Sequence, residues 1–424
     1  MWAVKSTAAA IFVCERHRRR RCDTHKGACG GVVDQNGLLR SVRARREDDF
    51  VSTRRLSVVG LFLALAACGR RPRGAPRARS SATIGPVSVV DGGVAATPAR
   101  DPTEAEDHTP DRILAVSEDR PADRLFGISE HYEGRHYLAG DEWNLQVFQP
   151  HVAGRGGAYL GVGSDQAYLF IGWSRPELAW LIDYDPWVVR LHAIYLRFFL
   201  AAATPEAFRR LWSVDGAVEA RALLAQGLAE AQAASLVALY TQSRGAIERR
   251  LTRLCRRLGV ASYLDDPAQY DTVRGLLRRG RVRALVADLL GSVALRSIAQ
   301  TSRELGHPIR VLYLSNAEEY WTYARAFREN IRALPADERS VTLRTISSSY
   351  LNQDYLYNAQ PLVDFQNVLN LPRVRKVREF VGLTEAERAL PRPLIATHRG
   401  ADELSAPRHA PRPARSRHQR ASTR

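Results

Sequence analysis

Between residues 158 and 346 the apolar positions switch repeatedly between runs of strand length and the 3.6-residue spacing of helices. Residues 158–161 form a short apolar run that reads as a strand, followed by a Gly/Ser turn and a helix over 166–173. Residues 178–182 read as a second strand and 187–202 as a helix. From 205 to 258 the helical spacing continues, which predicts helix throughout. Residues 282–287, 309–314 and 341–346 complete a set of five strands. A helix capped by Ser292 and ending at Gly306 separates the third from the fourth, and a helix over 320–334 separates the fourth from the fifth. Strands that alternate with helices predict an α/β domain: a doubly wound, mostly parallel sheet, with a helical insertion or cap over about 205–280.

The flanks have a different texture. Residues 56–67 are an apolar run of twelve, after Arg54-Arg55 and before Cys68. Twelve residues are too few to span a bilayer but suit the core of a signal peptide. Leu65-Ala66-Ala67-Cys68 resembles the bacterial lipobox, which implies cleavage before Cys68, lipidation of its thiol, and a membrane anchor facing the periplasm or exterior. Residues 51–67 are then the signal peptide, with Val51 as the start. Residues 1–50 become a non-native or disordered extension. Residues 68–122, rich in Arg, Pro, Ala and Gly without periodicity, read as a disordered linker, with order beginning near Leu125 and the domain occupying 123–390. Residues 391–424 read as a disordered basic tail.

Charge follows the same division. The chain of 424 residues has 62 Lys and Arg against 45 Asp and Glu, a formal +17. Residues 80–390, however, hold 36 basic and 37 acidic side chains. The excess belongs to the ends, so no basic face tracks phosphate and nucleic acid is not an expected partner. The five cysteines are Cys14, Cys22, Cys29, Cys68 and Cys255. After cleavage only Cys68 and Cys255 remain, the first lipidated and the second a helix-packing residue, so the core must stabilise the domain without a disulfide. The Cys/His run over 14–29 is crowded by Arg and lacks an apolar pattern to fold around zinc. His131, His136, Asp141 and Glu142 lie in an irregular stretch, and no metal is expected there. Residues 141–144 could instead form a lid just upstream of the first strand.

The chemistry gathers at strand ends. Tyr159-Leu160-Gly161-Val162-Gly163-Ser164-Asp165-Gln166 places glycines after a buried strand, where the backbone turns sharply and lets a ligand approach. Asp183, 22 residues after Gly161 at the end of the next strand, is placed to accept two ribose hydroxyls, with Asp185 beside it. Asp288 ends the third strand, and Ser315-Asn316-Ala317-Glu318-Glu319 the fourth.

These residues resemble the core of the class I S-adenosylmethionine-dependent methyltransferases over about 125–380. The chain also looks like a member of an uncharacterised bacterial family with that core, known by a YLGVGxxQ loop and a YLSNAEEY segment. The resemblance implies a Rossmann-like sheet and S-adenosylmethionine as cofactor. Gly161, Gly163 and Asp165 would form its loop, Asp183 and Asp185 its ribose site, and Asp288 its adenine side. Ser164 stands where many of these enzymes have a third glycine. No Asn-Pro-Pro-Tyr follows the fourth strand, which argues against methylation of base amino groups. Methyl transfer is an in-line displacement that rests largely on proximity, with a base for a protonated nucleophile. Glu318 and Asn316 are the candidates on the substrate side. An apparent export signal on a cytoplasmic cofactor's fold leaves three readings open: a lipid-anchored methyltransferase-like protein, a non-enzymatic envelope module that uses the fold to bind a ligand or a protein, or a cytoplasmic enzyme whose apparent signal is spurious.

Overall fold

The computed structural model describes residues 107–125, 133–348 and 352–406. Six strands form one sheet: β1 Ala158–Val162, β2 Leu178–Asp183, β3 Val282–Val286, β4 Ile309–Tyr313, β5 Val341–Ser347 and β6 Tyr355–Pro361. Their order across the sheet is β3-β2-β1-β4-β5-β6; β1 to β5 run parallel, and β6 pairs antiparallel with β5. The chain leaves β1 toward β2 on one side and later fills β4 on the other, so the topological switch point lies between β1 and β4.

Parallel strands buried on both faces read as apolar runs because alternate side chains feed two cores. Tyr159, Leu181, Val311, Tyr313 and Leu343 join one core, with helices α3 Gln166–Ser174, α4 Pro186–Ala201, α5 Pro205–Trp212, α6 Ala217–Ala225, α7 Glu230–Arg257 and α8 Pro267–Arg278. Leu160, Trp180, Ile182, Leu285 and Leu312 join the other, under α9 Ala294–Glu304 and α10 Arg325–Ala333. The architecture is the expected Rossmann-like α/β fold, with helices α5 to α8 inserted between β2 and β3.

Several boundaries are corrected. The helical stretch 205–258 is three helices, broken at Ser213, which takes the Gly216 N–H, and at Gly227, which has a positive φ of 68°. The helix expected over 320–334 begins only at Arg325; Ala317–Tyr320 is a short 3-10 turn, and Tyr323 is held by a 2.7 Å bond from its N–H to the Arg375 carbonyl. Ser292 is not the cap of α9. Asp119 does that work from outside, accepting from Val293 N (3.1 Å), Ala294 N (3.3 Å) and Asp288 N (3.1 Å). Order therefore begins before Leu125: α1 Thr109–Leu114 lies beside β3, and its Ile113 and the following Val116 are buried in the second core. At the other end, β8 Thr397–His398 pairs with β7 Val381–Gly382, and Leu404 is buried. The part of the expected tail up to residue 406 is thus packed.

Candidate functional site

At the carboxyl end of β1 the chain turns through Gly163, whose φ of +91° is a backbone state that side chains rarely adopt. His192 on α4 pins this turn. Burial pushes its pKa down to about 4, so the ring is neutral; Nδ1 contacts the Tyr168 hydroxyl at 2.9 Å and Nε2 the Gly163 carbonyl at 3.0 Å. Gly161 faces the Tyr159 hydroxyl closely enough that a Cβ would collide with it.

Asp183 ends β2 beside this loop and is partly buried. Its Oδ1 accepts the Asp185 N–H at 2.9 Å, and the backbone of Gly163 and Tyr184 also donates to it. Burial outweighs these bonds and pushes its pKa up to about 7, with the Asp185 charge adding to the rise. Asp288, just beyond β3, is also partly buried and accepts from the Leu290 N–H at 2.9 Å.

The other two acids are engaged internally. Asp185 caps α4 through the Trp187 N–H (2.9 Å) and pairs with His136 Nδ1 (2.8 Å), whose ring lies 4.8 Å from that of Trp187. Asp165, fully sealed, accepts the Gly140 N–H at 2.7 Å and pairs with Arg250 Nε of α7 at 2.9 Å.

Residues 137–144 cross the carboxyl edge of the sheet as a strap. Its Glu142, buried, accepts from the Tyr313 hydroxyl (2.6 Å) and the Ser315 hydroxyl (2.7 Å) with Oε1, and its carbonyl receives Arg250 Nη1. Burial raises the Glu142 pKa, the neighbouring Asp141 charge adds to the rise, and Arg250 opposes it. Burial also works against the Arg250 charge, but Asp165 and Glu142 outweigh it and hold the guanidinium firmly protonated. Asp141 receives the Tyr355 hydroxyl at 2.9 Å, and Trp143 lies against Arg250 and Arg253, 4.8 and 3.9 Å from its ring centre. Ser315 sits at φ 51°, a strained state for a non-glycine residue, at the end of β4. The strap thus ties the switch point to the insertion. The sequence suggests a lid over residues 141–144 only; Arg250, within a helix rich in arginine, carries no signal.

On the β4 side, Glu318 is turned into the core and not toward the open sheet edge. It is 1% exposed, with Oε1 on Arg344 Nε (3.2 Å) and Oε2 on the Tyr323 hydroxyl (2.8 Å). Burial raises its pKa, against the pull of Arg344. Arg344 in turn reaches Asn358 and Gln360 on β6 and lies 4.3 Å from the Phe365 ring centre. This is a core ion pair. Asn316 remains partly exposed, with a long 3.5 Å contact to the Ser347 hydroxyl.

Residues 137–404 match a protein family described as Domain of unknown function (DUF7790). The chain belongs to this family. Its matched span opens at the strap and closes at Leu404, the buried residue of the last short helix, so it takes in the strap and the C-terminal segment that packs beside β6. No curated protein matches the chain.

Among the described residues no three His, Cys, Asp or Glu stand together as a metal site, and no helix is long and apolar enough to cross a membrane. Cys255 on α7 is half-buried, and burial pushes its thiol pKa up, as for a packing residue. A hollow of about 220 Å³ lined by Val147, Phe148, His151, Tyr357 and His398 shares no residue with the glycine loop or Asp183. Cys68, the apolar run before it and the extension before that lie outside the described residues.

Proposed function

We propose that this chain is a bacterial envelope lipoprotein whose α/β domain binds S-adenosylmethionine at the mouth of β1 and β2. The observation that carries the reading is the place of Asp183, partly open at the end of β2 and bonded to the backbone of the glycine loop. A carboxyl there is suited to ribose hydroxyls, and the switch point of an open α/β sheet is where such folds bind ligands. Gly161, Gly163 and Asp183 would hold the nucleoside, and Asp288 beyond β3 would face its base. Asp165 and Asp185 are left out of direct contact and position the loop and α4 instead. The cofactor supplies a methyl group for displacement. The protein's part is to align a nucleophile, which Asn316 at the end of β4 is placed to help do.

The internal engagement of Glu318, Asp165 and Asp185 favours a second reading, in which the domain binds a ligand or protein partner without catalysis. Equilibrium dialysis of the full chain against S-adenosylmethionine tests the first. Retention at micromolar concentration supports it, and no retention at millimolar concentration leaves the second. Export through Cys68 is tested by fatty-acid incorporation in cells: Cys68→Ser should abolish the label, and equal labelling of the variant would refute the anchor.

A further inference from the structure

The strap meets the carboxyl edge of the sheet one strand at a time. His136, just before it, pairs with Asp185 beyond β2 at 2.8 Å. The Gly140 N–H donates to Asp165 beyond β1 at 2.7 Å. Glu142 takes the hydroxyls of Tyr313 and Ser315 at the end of β4, and Asp141 takes that of Tyr355 at the start of β6. Asp354, just before β6, accepts the Trp143 N–H at 3.3 Å, and the Tyr357 hydroxyl accepts the Asn144 N–H at 2.9 Å. The chain therefore lies across the mouth of β1 and β4, the switch point at which an open α/β sheet takes its ligands.

That mouth is filled by the protein's own side chains. A Cβ built on Gly163 would collide with the Gln166 amide, and one on Gly140 would stand 3.0 Å from Arg250 and 3.1 Å from both Gln166 and Glu142. Glu142, Asp165 and Gln166 are buried, while Asp183 at the end of β2 and Asp288 beyond β3 stay partly open. One half of the edge is accessible and the other is sealed.

The seal works against itself. Nη2 of Arg250, Oε2 of Glu142 and Oε1 of Gln166 are cut off from solvent without a hydrogen-bond partner. Buried polar groups left unpaired disfavour the arrangement that buries them, charged ones most of all, and water satisfies them once the strap lifts. Each tie from the strap to the sheet named above runs through a side chain, so the strap can come away with the ladder of the sheet intact. Its ends suit such a movement. Gly134, at a φ of +69°, precedes it, and Leu145 and Phe148, sealed in the first core, hold the chain that follows.

We propose that the strap is a gate, which shuts the switch point in this structure and lifts as a unit to admit the ligand while the domain stays folded. The inference rests on the reading above for the place and identity of that ligand and adds the control of its entry. A site that is closed at rest binds with an affinity reduced by the fraction of molecules that are open, so loosening the strap tightens binding.

The test is hydrogen exchange of the full chain, read by mass spectrometry, for the parent, Glu142→Ala and Asp354→Ala. The first variant removes the central tie. The second removes the tie at the β6 end, away from the glycine loop, and serves if the first fails to fold. The amides of Gly140, Trp143 and Asn144 should exchange at least about tenfold faster than those of β1 and β4, and either variant should speed all three together by about tenfold more. Strap amides as protected as those of β1 refute the gate, as does acceleration confined to residues beside the substitution. In calorimetric titration, S-adenosylhomocysteine should bind the loosened variants at least about threefold tighter than the parent. Equal or weaker binding by folded variants also refutes the gate and leaves the cofactor site standing. If the strap opens as a unit and no form binds S-adenosylhomocysteine at millimolar concentration, the gate stands and the cofactor reading falls.

Discussion

Arg250, in the last third of the long insertion helix, reaches Asp165 at the start of α3, with Nε 2.9 Å from Oδ2 and both side chains sealed from water. Removing one partner of such a pair leaves a buried charge alone, which costs about 3–5 kcal/mol. Arg250→Met should destabilise the chain by that order in denaturant unfolding. Arg250→Met with Asp165→Asn should recover a large part of the loss. A double variant no more stable than the single one would contradict the pair's role.

Glu318 was a candidate base in the sequence and is a core ion-pair partner in the structure. Glu318→Ala should cost about 3–5 kcal/mol of stability by stranding Arg344. Affinity for S-adenosylhomocysteine in the folded variant should stay within twofold of the parent. A variant of parental stability that loses ligand binding would return Glu318 to the site.

Asp119 accepts three backbone N–H groups at the start of α9 and the end of β3. Asp119→Ala should lower stability by about 1 kcal/mol, as loss of a helix cap does, read as a shift of the denaturant midpoint. No shift would contradict the capping role of Asp119.

The carboxyl of Asp183 is pushed from its ordinary 3.8 up to about 7. A raised acid takes up a proton on folding, so its favourable share is complete below about pH 4 and is lost as pH rises toward 7. Asp183→Asn does not titrate. The stability of the parent relative to this variant should therefore be higher at pH 5 than at pH 8, by denaturant unfolding at both. A difference that is flat, or that grows with pH, would contradict the raised value.

The alternation of strands and helices was legible because buried parallel strands are apolar on both faces and leave runs that stand apart from helical spacing. β6 escaped notice because Asn358 and Gln360 break its apolar pattern, and only the position of Arg344 in the fold explains them: Arg344 is sealed in the core and bonds to both. The glycine loop and Asp183 were readable because their spacing follows one strand-helix-strand unit. Glu142 and Arg250 are 108 residues apart and Glu142 and Tyr313 are 171 apart. No local pattern connects them. The burial of Glu318 was not legible for a related reason: a first-turn acid looks the same in sequence whether it faces solvent or a buried guanidinium.

The most direct test of the account is calorimetric titration of S-adenosylhomocysteine into the full chain and into Asp183→Ala, with folding of both checked by circular dichroism. Saturable one-to-one binding is expected in the parent, with at least a tenfold loss in the variant. Equal binding by both would move the nucleoside away from the end of β2, and no binding by the parent at millimolar ligand would contradict the cofactor site itself.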